Sequence, residues 1–128
     1  MTSRRVVVLA DDLIWADRLA GLVRAAGAEP VRAAKPAAYS AVVADADRAI
    51  VDLTARAYDG VAAVAEAHEA GVGVLCVAQH DDAALRKRAL AAGADRVLAY
   101  RALAERGPAI VAAWLGSTRD VADLDDRA

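Results

Sequence analysis

The chain has 128 residues, with 16 Lys and Arg against 18 Asp and Glu, so its formal net charge at pH 7 is −2. This length predicts one domain, without room for a separate output module of ordinary size. The slightly acidic balance argues against a dedicated nucleic-acid-binding protein, because such a protein needs a basic face to neutralise phosphates. The single cysteine cannot form an internal disulfide or a cysteine-based zinc site.

The first apolar run of the chain is short. It stops at Ala10 against Asp11 and Asp12, which is too early for a signal sequence or a membrane span. We therefore expect a soluble, cytoplasmic protein without a membrane partner.

The first half of the chain alternates branched apolar runs with helical patterns. Unbroken apolar runs are typical of strands that are covered on both faces, and apolar stripes of helical period are typical of helices that pack on a sheet. Pro30 places the second run at a sheet edge. In chain order we predict strand Arg5–Ala10, helix Leu13–Ala26, strand Glu29–Ala33, helix Pro36–Ala46 and strand Ala49–Leu53.

The second half continues this alternation. Gly71 and Gly93 stand where helices would end, and Asp81 or Asp82 stands where a helix would begin. We predict helix Gly60–Ala70, strand Val72–Ala78, a helix that ends at Ala92, strand Arg96–Ala99 and a last helix that starts near Pro108. The domain is expected to span residues 1–118, and residues 119–128 form an acidic carboxyl-terminal tail.

Five β-α repeats of this kind predict an α/β fold with a parallel sheet and right-handed crossovers. The rhythm favours a flavodoxin-like three-layer sandwich, with a five-stranded sheet of order 2-1-3-4-5 and five helices.

Three carboxylates follow strands that are neighbours in this order. Asp11 and Asp12 follow the first strand, and Asp52 lies at the end of the third. Like charges that converge at one sheet edge are best relieved by a hard cation, and Mg²⁺ suits such a carboxylate set. We therefore predict that millimolar Mg²⁺ stabilises the fold. Alternatively, Asp12 is only a helix N-cap and loop amides satisfy Asp52.

Three motifs resemble the receiver domains of response regulators. They are the acidic opening Val8–Asp12, the segment Asp52–Gly60 (DLTARAYDG) and the turn Ala91–Asp95 (AAGAD). The resemblance extends from about Arg4 to Leu115. It implies a CheY-like fold in which a histidine kinase phosphorylates Asp52. It also implies that Asp11, Asp12, Asp52 and the backbone carbonyl of Thr54 hold Mg²⁺.

Four positions depart from the pattern of that family. Ala78 stands where receivers carry Thr or Ser, and Tyr100 stands where they carry Lys. Arg101 replaces the usual proline, so we expect a trans peptide bond there. Val97 takes the place of an aromatic switch residue, and Ala78 and Val97 together occupy the switch positions. The site therefore lacks the hydroxyl and the ammonium that would bind a phosphoryl group.

Other residues are predicted to flank the site. Thr54 and His80 lie two residues beyond Asp52 and Ala78, at positions that tune the lifetime of the phosphoryl group in the family. Tyr100 and Arg101 flank the site from the fifth strand, and Arg101 is a candidate substitute for the missing ammonium.

The leading hypothesis is an atypical receiver-like signalling domain of a two-component or related pathway. It would act as a protein-interaction module with weakened or absent phosphorylation control. The alternative is a working Mg²⁺-dependent phosphoacceptor in a phosphorelay, phosphorylated on Asp52. A flavodoxin-like small-ligand-binding domain is a lesser alternative.

We expect no enzymatic activity beyond self-catalysed phosphotransfer to Asp52. Expected partners are a histidine kinase or another signalling protein, or a second copy bound through the face of helix 4, strand 5 and helix 5.

Overall fold

The structure, a computed structural model, describes residues 4–116. Its strands are β1 (Arg5–Leu9), β2 (Glu29–Ala33), β3 (Arg48–Asp52), β4 (Gly73–Ala78) and β5 (Arg96–Ala99). All pairings are parallel, in the order β2-β1-β3-β4-β5. The predicted fold class is therefore confirmed, and the strand that carries Pro30 lies at an edge as expected. The acidic tail and its boundary at residue 118 lie outside the described residues.

Five helices connect and cover these strands. They are α1 (Leu13–Ala25), α2 (Pro36–Val43), α3 (Gly60–Glu69), α4 (Ala83–Ala92) and α5 (Tyr100–Gly116). None of the helices in the described part of the chain is long and apolar enough to cross a membrane.

Two buried layers enclose the sheet because successive strand residues point to opposite faces. Val6 and Val8 face the layer of α1 and α5, where Leu19, Val23 and Val111 are fully buried. The opposite layer joins β1 to α2, α3 and α4 through Val7, Leu9, Tyr39, Val64 and Ala89. This is the predicted three-layer sandwich, and apolar burial on both faces is its main stabilising contribution.

Two helices differ from the prediction. α2 ends at Val43 rather than Ala46, because the chain turns there and Asp47 binds Arg5 through both its backbone amide and its side chain. A helical segment does start near Pro108, as predicted, but another segment that begins at Tyr100 precedes it, and the two together form α5. The helix is broken at Arg106, where φ is −133° and ψ is 18°. Pro108 lies just beyond that break, where its missing amide proton is tolerated.

Gly93 is a point of close contact between α3 and α4. Its φ is +118°, and an added Cβ would lie 2.8 Å from the Cβ of His68 and also overlap the imidazole ring. Gly71 ends α3 with a similar φ of +76°, but no atom lies within 4 Å of an added Cβ there.

We expect Gly93→Ala to lower the free energy of unfolding more than Gly71→Ala does. Both substitutions strain a left-handed backbone, at about 1–2 kcal/mol each. Only Gly93→Ala adds the overlap with His68, for a further loss of about 1 kcal/mol or more. Urea denaturation of the two variants measures the difference. Equal losses would contradict this packing account.

Candidate functional site

The site forms where β1 and β3 end side by side. Leu9 is the register partner of Val51, so the residues that follow both strands emerge at the same edge of the sheet. Sheets of this order bind ligands at that edge.

Asp12 serves as the N-cap of α1. Its Oδ1 accepts hydrogen bonds from the backbone amides of Ile14 at 2.9 Å and Trp15 at 3.1 Å. This contact satisfies two amides of the first helical turn, which have no partner within the helix. Asp11 is also exposed, and its Oδ2 accepts a long hydrogen bond of 3.4 Å from the amide of Ala57. Both side chains therefore already bind backbone groups.

Asp52 is almost completely buried, with 2% of its surface exposed. Its Oδ1 accepts hydrogen bonds from the Thr54 amide at 3.1 Å, the Thr54 hydroxyl at 2.9 Å and the Tyr100 hydroxyl. The Thr54 and Tyr100 hydroxyls also contact each other. All three donors are neutral, and Oδ2 accepts no hydrogen bond from the described residues. One carboxylate oxygen is thus saturated and the other is open.

Tyr100 lies at the first position of α5, against an aromatic neighbour. The centroids of the Trp15 and Tyr100 rings are 4.5 Å apart with an interplanar angle of 54°. The guanidinium carbon of Arg18 lies 5.2 Å from the centroid of the Trp15 ring. These contacts fix the phenol beside Asp52, in the place where the resemblance implies a lysine.

Tyr58 joins the two strand ends beneath the site. Its buried hydroxyl lies 3.0 Å from the carbonyl oxygen of Leu9 and 2.7 Å from that of Asp52. No sequence pattern singled out Tyr58. An aromatic side chain in a loop carries no signal that distinguishes a contact between strand ends from ordinary core packing.

The remaining predicted residues are placed differently. Ala78 and Val97 are buried, and Val97 belongs to the layer that contains α4. His80 is exposed and does not line the cleft described below. Arg101 points to solvent and pairs with Glu105 at 2.9 Å, so it does not substitute for the missing ammonium in this arrangement. Every peptide bond within residues 4–116 is trans, including the one between Tyr100 and Arg101.

An open cleft of about 610 Å³ lies above Asp52. Its lining residues share a polar and aromatic character: Asp11, Asp12, Trp15, Asp52, Thr54, Ala55, Arg56, Gln79 and Tyr100. Three carboxylates thus share the cleft with one guanidinium, that of Arg56, which no sequence pattern singled out.

The three aspartates do not form a preformed metal centre. Within residues 4–116, no group of three His, Cys, Asp or Glu side chains is arranged to hold a metal ion. The reason lies in the contacts above, since Asp12 caps α1 and Oδ1 of Asp52 binds the two hydroxyls. The ligand set of Asp11, Asp12, Asp52 and the Thr54 carbonyl therefore stays a prediction.

Burial raises the pKa of each of the three tyrosines above its ordinary value of about 10. For Tyr100 the hydrogen bond to Asp52 raises the pKa further, against a smaller opposite effect of the Thr54 hydroxyl. For Tyr58 the charges of Asp52 and Asp11 add to burial. Phenolate formation is therefore opposed at every tyrosine in the folded state.

We expect no tyrosine of the folded protein to ionise near pH 10. The unfolded chain releases these protons at lower pH than the folded chain, so the stabilisation is complete below about pH 10 and declines as the pH rises further. Phenolate absorbance, recorded with circular dichroism at each pH, tests this. Ionisation should accompany unfolding, and the protein unfolded in guanidinium should titrate near pH 10. A separate ionisation step near pH 10 in the folded protein would contradict the described burial.

No family model and no curated protein matches the chain. Solved structures do match its fold. A response regulator from Burkholderia pseudomallei, solved with a phosphorylated aspartic acid, a calcium ion and citrate, is 19% identical with a TM-score of 0.73, over 97% of this chain and 72% of that chain. The receiver domain of a putative Luxo repressor protein from Vibrio parahaemolyticus is 18% identical with a TM-score of 0.76, over 98% and 96%. A CheY-like receiver domain protein from Methanospirillum hungatei is 21% identical with a TM-score of 0.69, over 82% and 90%. The chain therefore has the fold of response-regulator receiver domains, as its three motifs predicted.

Proposed function

We propose that this chain is an atypical receiver-like signalling domain that acts as a protein-interaction module with weakened or absent phosphorylation control. The observation that carries the proposal is the hydrogen bond from the neutral Tyr100 hydroxyl to Oδ1 of Asp52. A phenol holds the carboxylate where the resemblance implies a lysine ammonium. The proposal includes no enzymatic turnover.

The surroundings of Asp52 give a phosphoryl group little to bind. A phosphorylated aspartate carries additional negative charge, which a cation or several strong donors must stabilise. The residue at the end of β4 is Ala78, whose methyl group cannot donate a hydrogen bond. The side chain of Val97, at the other switch position, is already buried. A ligand shifts a conformational equilibrium only through contacts that differ between the two states. With these side chains, phosphorylation would have few such contacts to use.

Exposed apolar side chains support a protein as the partner. Leu13 and Ile14 are 76% and 65% exposed, and they lie between Asp12 and Trp15, which both line the cleft. Large exposed apolar groups beside a polar cleft are typical of a protein-binding surface. Binding of a histidine kinase, and a homodimer through the face of α4, β5 and α5, stay predictions.

A working phosphoacceptor is the second candidate, and one observation favours it. Oδ2 of Asp52 accepts no hydrogen bond from the described residues, and Asp52 lines an open cleft. The Burkholderia pseudomallei neighbour was solved with a phosphorylated aspartic acid and a calcium ion. On this candidate, Asp11, Asp12 and Asp52 would hold Mg²⁺ after rearrangement, and the ion would offset the charge of the incoming phosphoryl group.

Acetyl phosphate with Mg²⁺, followed by intact mass, separates the two candidates. We expect the parent protein to gain little or no labile adduct of about 80 Da, the mass of a phosphoryl group in place of a proton. We expect Ala78→Thr combined with Tyr100→Lys to gain that adduct, because the pair restores a hydroxyl and an ammonium. Asp52→Asn in the double variant should abolish it.

Ala84→Thr with Arg101→Lys is a matched control, because it introduces the same residue types at exposed positions. Accumulation of a labile adduct in the parent protein to at least the level of the double variant, lost in Asp52→Asn, would contradict the proposed function and establish the second candidate.

A further inference from the structure

We propose that the cleft binds the ammonium group of a lysine side chain from a protein partner, which supplies the ammonium that the site lacks. The inference rests on the proposed function, because it names the chemistry through which the interaction module would recognise its partner.

The cleft carries a net negative charge. Its lining includes the carboxylates of Asp11, Asp12 and Asp52 and the guanidinium of Arg56. Three negative groups and one positive group leave a formal charge of −2, and Arg56 makes no ion pair with the described residues. An added cation would relieve the repulsion among the carboxylates.

One carboxylate oxygen of Asp52 is open to the cleft. The residue is 98% buried, given its 2% exposure, and it lines the cleft. Its Oδ1 holds three hydrogen bonds from neutral donors, whereas its Oδ2 holds none from the described residues. No buried side-chain oxygen of the described residues lacks a hydrogen-bond partner, so Oδ2 of Asp52 is open to the cleft and can accept a charge-assisted hydrogen bond there. This oxygen is therefore available to a cationic donor that arrives from outside.

The geometry of that acceptor favours lysine over arginine. The planar fork of arginine binds best to both oxygens of one carboxylate, but Oδ1 of Asp52 is already saturated. An ammonium is a compact donor that one oxygen can bind. The methylene stem of a lysine would pack against Trp15 and Ala55, which also line the cleft.

The position of the cleft favours a protein over a free amine. Leu13 and Ile14 are exposed on the first turn of α1 and lie in the sequence between Asp12 and Trp15, which line the cleft. They offer apolar area to a partner that carries the lysine. A small amine in the cleft would leave the apolar surface of Leu13 and Ile14 exposed to solvent.

Titration with Nα-acetyl-lysine methylamide tests the inference, with Trp15 fluorescence as the signal because this side chain lines the cleft. Nα-acetyl-norleucine methylamide has a similar apolar stem without the charge and is the matched ligand control. We expect saturable binding of the lysine compound only, and weaker binding at high salt because the attraction is Coulombic. The arginine analogue should bind at least threefold more weakly.

Asp52→Asn should raise the Kd of the lysine compound at least tenfold, since it removes the charge and keeps an acceptor for Tyr100. Asp45→Asn makes the same change at an exposed turn away from the cleft and should leave the Kd unchanged. Asp11→Asn, at an exposed lining position, provides a second variant if Asp52→Asn does not fold. Its Kd should rise at least twofold.

Three results would overturn the inference: no saturable signal, an equal response to the norleucine compound, or an unchanged Kd in the cleft variants. Equal or tighter binding of the arginine analogue would overturn the choice of lysine.

The acetyl phosphate experiment reports separately on the proposed function. A parent protein that is phosphorylated and also binds the lysine compound contradicts only the proposed function. One that resists phosphorylation and does not bind the compound contradicts only this inference.

Discussion

The hydrogen bond between Tyr100 and Asp52 determines the chemistry available at this sheet edge. A buried carboxylate needs strong donors, and here two hydroxyls and one backbone amide provide them at a single oxygen. Trp15 packs against the phenol and limits its movement. Both hydroxyls are neutral, so none of these hydrogen bonds brings a cation to Asp52. On the function proposed above, a site built in this way would recognise a positive group and would stabilise an added phosphate poorly.

The backbone beneath the site keeps this geometry in place. The Tyr58 hydroxyl contacts carbonyl oxygens at the ends of β1 and β3, so the segments that carry Asp11, Asp12 and Asp52 remain at a fixed separation. Asp12 in turn begins α1, and that helix places Trp15 against Tyr100. The N-cap, the aromatic pair and the buried carboxylate thus depend on one another, and a change at one of them is expected to reach the others.

Much of the fold followed from the sequence, because buried parallel strands and amphipathic helices leave strong patterns. β2 and β5 were predicted to the residue, and the partial burial of Pro30 agrees with its edge position. The start of α5 was missed because Pro108 is a strong helix-start signal, whereas residues 100–105 carry no cap that marks an earlier start. That early start matters for the site, since it places Tyr100 on the first turn and turns Arg101 towards Glu105. Side-chain contacts of this kind, like those of Tyr58 and Arg56, depend on helix phase and loop path, which residue patterns do not encode.

The Tyr100 hydroxyl proton offers the most direct test of the account. In a solution NMR spectrum, a phenolic proton held by a buried carboxylate exchanges slowly with water and resonates downfield, and correlation to the Tyr100 ring identifies it. The account predicts such a resonance in the parent protein and its loss in Asp52→Ala, while the hydroxyl proton of Tyr39, which is bonded to the carbonyl of Ala63, remains. A Tyr100 hydroxyl that exchanges freely while that of Tyr39 is protected would contradict the account.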